Sequence, residues 1–175
     1  MAGNSKWIID PGHSEVQFKI KHLAVSHVTG RFRIFQGDVV CGIEDFNEAE
    51  VHVRLDSGSL DTNNQQRDAH LRSPDFIDAE KYPAITFDGL LQKHGDGYVL
   101  AGEMGIREVR SGVTLRAELT GIGTGRFGDT RAGFEVKGKI SRKDFGLTWN
   151  VLAEGGGLVI GDEINLLFDI QLIRK

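Results

Sequence analysis

Six histidines, His13, His22, His27, His52, His70 and His94, are the side chains of this sequence best suited to proton transfer or metal ligation. None forms an i, i+4 helical pair with a glutamate, and no cysteine clusters with them, so a zinc site is not expected. The single cysteine, Cys41, excludes an internal disulfide; among Val39, Val40 and Ile43 it reads as a small core residue. Arg67, Asp68 and His70 fall within one helical turn and, with Ser14 or Ser26, could be assembled on paper into a hydrolase triad. No serine sits in a G-x-S-x-G elbow and nothing marks an oxyanion hole. Gly123-Thr124-Gly125-Arg126-Phe127-Gly128 spells G-x-G-x-x-G, yet Asp129-Thr130-Arg131 leads into an alternating strand, not a helix, which makes it a hairpin connection. No catalytic residue, metal or cofactor is expected.

The elements that position these residues are strands. Val16, Phe18 and Ile20 alternate with polar residues through Ser14–His22, as do Ala49, Val51, Val53 and Leu55. The same period runs through Ala132, Phe134, Val136 and Ile140, and through Ile164, Leu166, Phe168, Ile170 and Leu172. Weaker versions at Phe32/Ile34, Ile85/Phe87, Leu100/Met104/Ile106 and Val113/Leu115/Leu119 bring the number to about eight. Asp96-Gly97 and the glycine-rich stretch 121–128 fall between strands, as hairpin connections. One helix is expected, at Asn63–Arg72, with Thr62 and Gln65 as a capping box; short turns are expected at Pro74–Ala79 and Ser141–Phe145.

One helix cannot cover eight strands that are dry on one face. The expected fold is therefore all-β, a single closed antiparallel lipocalin-like β-barrel of about eight strands with one short covering helix. The 175 residues carry no linker or repeat, so residues 1–175 read as one domain. A net charge of −4 without any Lys/Arg cluster argues against nucleic acid as a partner. No run approaches ~20 apolar residues, so no transmembrane segment is expected. Met1–Trp7 lacks the apolar core of a signal peptide, so the sequence as written reads as cytoplasmic; if an export signal has been trimmed from it, the periplasm fits equally.

An eight-stranded barrel is either filled by its own side chains or holds one small ligand. The inward positions are apolar, several runs reach roughly 25–30 Å at ~3.3 Å per residue, and Ala49, Ala101, Ala132, Gly89 and Gly138 leave room inside. The expected function is to bind and carry or sequester a long apolar molecule without catalysis. The lining is assigned to Phe18, Ile20, Phe32, Val53, Phe87, Met104, Leu115, Phe134, Val136, Leu166, Phe168 and Ile170. Arg67, Asp68, His70 and Phe76 are assigned to the lid or rim, with 75–82 as a flap or plug. Trp7 and Trp149 either line the slot or belong to the core. The alternative is a ligand-free interaction or stress-response module with a packed core.

Trp7-Ile8-Ile9-Asp10-Pro11-Gly12-His13-Ser14-Glu15-Val16-Gln17-Phe18, with Gly30-Arg31-Phe32 downstream, resembles the amino-terminal signature of the YceI-like family. Ser59–Thr62, Arg67–Phe76, Tyr82–Phe87, Arg142–Leu147 and Gly161–Ile164 resemble its later motifs, in order along nearly the whole chain. The resemblance implies an extended lipocalin-like barrel with a helix folded over it, carrying a polyisoprenoid, quinone-like tail or fatty acyl derivative as its partner. It also implies frequent export to the periplasm, a homodimer as a common state, and a place for His13 near a barrel mouth with His22, although His13 reads more simply as a histidine hydrogen-bonded beside a turn. Where the family usually shows a Leu-rich segment with His-Gly-Val-Thr, this chain has Met104–Val113, which lacks the histidine and adds charge near one barrel end.

Overall fold

Period-two alternation produces strands whose apolar faces must find cover, and here they find it by closing on one another. The computed structural model describes residues 4–42, 45–151 and 159–175. Its strands are β1 (Ser5–Ile9), β2 (Glu15–His22), β3 (Ser26–Phe32), β4 (Phe35–Cys41), β5 (Ala49–Asp56) and β6 (Leu60–Asp61). They continue with β7 (Ala84–His94), β8 (Gly97–Ile106), β9 (Val109–Thr124), β10 (Thr130–Ser141) and β11 (Ile160–Arg174), and helix α1 spans Gln65–Arg72. All pairings are antiparallel, and the ring β1-β4-β5-β7-β8-β9-β10-β11 closes through β1 against β11.

The remaining strands extend the same staves. β1 and β2 both pair with β11, at Ile9↔Leu172 and Val16↔Phe168, on either side of a 3-10 turn at Pro11–His13. β3 runs on into β4 across Arg33-Ile34, and β5 into β6 across the turn Ser57–Ser59. The barrel is thus eight bent staves in an up-and-down meander, the architecture the alternation predicts. At one end β6 stops short of β7. Helix α1 and the segment after it occupy that gap: Ser57 donates its backbone N–H to Pro83, and Arg107, in the β8–β9 turn, donates to the Phe76 carbonyl.

The local register differs from the simple alternation at several places. The jog between β3 and β4 leaves Ile34 62% exposed and turns Phe35 inward instead. Ala101 faces solvent, since Leu100 and Met104 hold the inward parity of β8. α1 starts at Gln65 with Asn64 as its N-cap, the Asn64 side chain accepting from the Arg67 N–H; Thr62 is buried and bonded elsewhere. β9 continues through Gly121–Thr124, confining the β9–β10 connection to 125–129. The β7–β8 turn is Gly95-Asp96, not Asp96-Gly97; Gly95 takes φ +60°, the left-handed geometry a two-residue hairpin needs at its first position.

The two ends of the barrel are closed differently. At the end opposite α1, Phe46 from the β4–β5 connection is fully buried, its ring centroid 5.1 Å from Trp7 and 4.9 Å from Phe134. Tyr98 stands 5.8 Å from Phe134 on the far side. Edge-to-face aromatic packing of this kind fills the barrel bore with side chains. Outside that end, Arg131 clasps the β1–β2 kink: its Nη1 donates to Asp10 at 2.7 Å and to Gln171 at 2.6 Å.

Truncation of the plug, Phe46→Ala, should lower unfolding stability by about 3–5 kcal/mol, measured as a fall in the urea midpoint at constant slope. The bond from Arg131, and secondarily that from His13, hold the Asp10 carboxyl below the usual range. A carboxyl whose folded pKa is depressed adds stability above its unfolded value and loses it as pH falls through the folded value. Asp10→Asn should therefore flatten the acid limb of the stability profile below about pH 4; urea midpoints across pH 2 to 6 (roughly the carboxylate range) would show it.

Candidate functional site

Between the plug and α1 the bore holds two apolar chambers. The upper one, about 100 Å³, lies beneath the plug; the lower one, about 270 Å³, lies under α1 and the turn that follows it. Val16, Leu55, Ile85, Met104 and Phe168 border both and form the neck between them. A thioether at a neck can shift among rotamers at little cost, which suits Met104 to admitting a chain.

All twelve residues assigned to the lining from sequence face this bore. Val53, Phe87, Leu115, Phe134, Val136 and Ile170 border the upper chamber, Phe18, Ile20, Phe32 and Leu166 the lower, and Met104 and Phe168 both. The small inward residues do not leave the space expected of them. A Cβ on Gly89 would strike the Phe87 ring, and one on Gly138 would strike Leu115. The room lies instead toward α1, where the staves diverge.

The rim is built by α1. Asp68, 5% exposed, accepts from both the Thr62 N–H (2.9 Å) and the Thr62 hydroxyl. Arg67 donates to the same hydroxyl and to the Thr62 carbonyl, each at 2.7 Å. These bonds pin the helix start to the end of β6. Arg67, His70 and Phe76 border the lower chamber, while Asp68 supports them from behind. His70 bonds Asp75 at 2.8 Å and lies edge-on to Trp149, ring centroids 4.5 Å apart, with Phe76 5.2 Å from each ring. Phe76 is thus a buried wall of the chamber, and Trp149 joins the rim cluster, whereas Trp7 belongs to the plug.

Arg142 was not singled out by sequence reasoning, yet it is a buried cation on the chamber wall, 2% exposed. Its Nε donates to the Gly161 carbonyl, and Nη1 to the Leu147 and Trp149 carbonyls at 2.7 and 2.8 Å. Burial lowers its pKa, opposed by the Asp162 carboxylate 3.7 Å away. Its visible signal was a charge placed directly at the end of an alternating strand. Val16, Leu55 and Ile85 were missed as neck residues although they share the inward parity of residues that were chosen.

The other candidates do not converge. His13 bonds Asp10 at 2.7 Å near the clasp, while His22 borders the lower chamber at the far end of β2, so the two do not meet. Ser14 accepts from the Gln171 N–H, and Ser26 is exposed on β3; neither bonds His70. Burial pushes the Cys41 thiol up, which disfavours thiolate. Gly125–Gly128 forms the tight β9–β10 connection, in agreement with the hairpin reading. Among the described residues no three of His, Cys, Asp and Glu gather as metal ligands.

The model of the YceI-like domain matches residues 7–172. A UPF0312 protein of Photorhabdus laumondii is 38% identical over 176 residues, covering all of this chain and 88% of the relative. A UPF0312 protein of Serratia proteamaculans is 39% identical over 137 residues, 78% of this chain and 71% of the relative. Among solved structures, the Campylobacter jejuni YceI protein superimposes with a TM-score of 0.71 at 32% identity, covering 90% of this chain and 91% of that one. A polyisoprenoid binding domain from Saccharophagus degradans, implicated in plant cell wall breakdown, gives 0.67 at 15% identity, covering 97% and 98%.

Asp68→Ala should cost about 2–3 kcal/mol, because it leaves the buried Thr62 N–H and hydroxyl without their acceptor. Amide hydrogen exchange should accelerate across 62–83 before the barrel strands respond.

Proposed function

The chain belongs to the YceI-like family, and we propose that it binds a long-chain apolar molecule, of polyisoprenoid, quinone-like or fatty acyl type, inside the barrel and carries or sequesters it. The observation that carries this reading is the lower chamber: about 270 Å³ of space walled by apolar side chains and continuing through a flexible neck to a second chamber. Water needs two to four polar partners to settle in a cavity, and these walls offer few, so a hydrocarbon is the better-matched occupant. Each buried methylene contributes about 0.8 kcal/mol, so ten give on the order of 8 kcal/mol, a roughly micromolar gross affinity. The Saccharophagus degradans domain, described as polyisoprenoid binding, shares the fold, and the proposed cargo has the same chemistry.

In this reading the chain enters tail first toward the aromatic plug, and its polar end stays near Lys21 and His22, which border the lower chamber at the end of β2. Selection is then by length and slimness, set by the neck and the plug.

Solvent extraction of the purified protein followed by mass spectrometry should release an apolar chain, and the stripped protein should bind a fluorescent fatty acyl probe. Met104→Trp, which fills the neck, should weaken binding of long chains at least several-fold while sparing short ones that occupy the lower chamber alone. A protein that neither retains nor binds any chain longer than about eight carbons, whose burial would give about 6 kcal/mol, would sink the reading.

A further inference from the structure

The β2–β3 hairpin spends exposed apolar residues where a turn needs none. His22 pairs with Ser26, leaving Leu23, Ala24 and Val25 as the tip. Leu23 and Ala24 both take left-handed geometry, φ +54° and +57°, a conformation better served by Asn or Gly. Leu23 is 42% exposed and Val25 84%. The tip is joined to a third exposed apolar residue: Leu23 donates its N–H to Val159, and Val159 donates to Val151, which is 44% exposed.

This apolar tip stands at the mouth of the lower chamber. Val159, Ile160, His22 and Lys21 border that chamber, and His22 and Ile160 are directly paired. Just behind the tip lies a belt of cationic and titratable groups, Lys19, Lys21, His22 and His27. Among the described residues neither lysine pairs with a carboxylate. The acids of β11 nearest the tip are occupied, Asp162 by Lys143 at 3.2 Å and Glu163 by Lys139 at 3.3 Å. Apolar residues ahead of a cationic belt match the two layers of an anionic bilayer surface, acyl chains beneath phosphate headgroups. Phe127, exposed at the plugged end, lacks this setting; it stands beside Arg126 in the β9–β10 connection, which does not border the lower chamber.

We infer that the β2–β3 tip, Leu23–Val25 with Val151 beside it, docks shallowly into an anionic phospholipid bilayer, so that the lower chamber opens onto the membrane and exchanges its chain there without passage through water. This inference rests on the proposed apolar cargo and adds the partner from which the cargo comes. The physical gain is kinetic: a long hydrocarbon leaves a bilayer for water slowly, and a mouth seated among the acyl chains removes that step.

The test compares the full chain with Leu23→Asn/Val25→Asp. Asn favours the left-handed backbone at 23 and position 25 is solvent-exposed, so this variant should keep its thermal midpoint. The wild type should float with phosphatidylglycerol vesicles and much less with phosphatidylcholine vesicles, and raised salt should weaken it. The double variant should lose flotation about tenfold and take a fluorescent acyl probe from vesicles about tenfold more slowly, while binding the same probe added from ethanol as the wild type does. A wild type that binds the ethanol-delivered probe but never floats would overturn the docking and leave the cargo reading standing. A variant that changes the elution volume on gel filtration and not the flotation would assign the tip to a protein contact and overturn it equally. A chain that binds no probe by either route removes both.

Discussion

Three residue pairs between β1 and β11, Trp7↔Arg174, Ile8↔Ile173 and Ile9↔Leu172, close the sheet into a ring. Without them the chain would be an open sheet, dry on one face, with a single eight-residue helix to cover it. Closure removes both edges and converts the dry face into an interior. The Asp10–Arg131–Gln171 bonds hold the stave at the point where it kinks beside this seam. The chambers, plug and mouth all presuppose the ring.

Closure alone does not leave a hole. The same staves are packed solid at one end and spread at the other, and the difference lies in which connections fold inward. The β4–β5 connection sends Phe46 down the bore onto Trp7 and Phe134, a plug of packed aromatic rings that also buries the Trp7 indole N–H. At the other end β6 stops after two residues, and the gap before β7 is bridged by α1 and its following turn. A helix laid across a barrel end cannot interdigitate as closely as strand side chains do, and space remains beneath it. Polar groups there are satisfied locally: Asp68 and Arg67 on Thr62, Arg142 on three backbone carbonyls. That satisfaction keeps the wall beneath the helix apolar in effect despite Arg67 and Arg142.

A tube blocked at one end and bordered at the other by exposed apolar and cationic residues has a direction. In the proposed function the plug sets the limit of penetration, the neck at Met104 sets the slimness of what passes, and the β2–β3 tip faces the source of the chain. These three features belong to three distant parts of the sequence, brought into line only by the ring.

Much of this was legible in the amino acids. The period-two runs determined the eight staves and the inward parity within each unbroken run, because inside one strand parity is a local property. The helix and its arginine–aspartate anchor were also visible as a short non-alternating segment. What only the tertiary structure decided was the distribution of space. Phe46 stands between acidic residues outside any alternating run, and its place in the bore depends on which connection folds inward. Gly89 and Gly138 looked like gaps and are covered by Phe87 and Leu115, since a void the size of a side chain is filled by whichever neighbour can reach it. Ala101 lies on the parity opposite to Leu100 and Met104, and Ile34 turns outward because the jog between β3 and β4 resets parity. Such irregularities are governed by how the staves bend to close, which alternation does not encode.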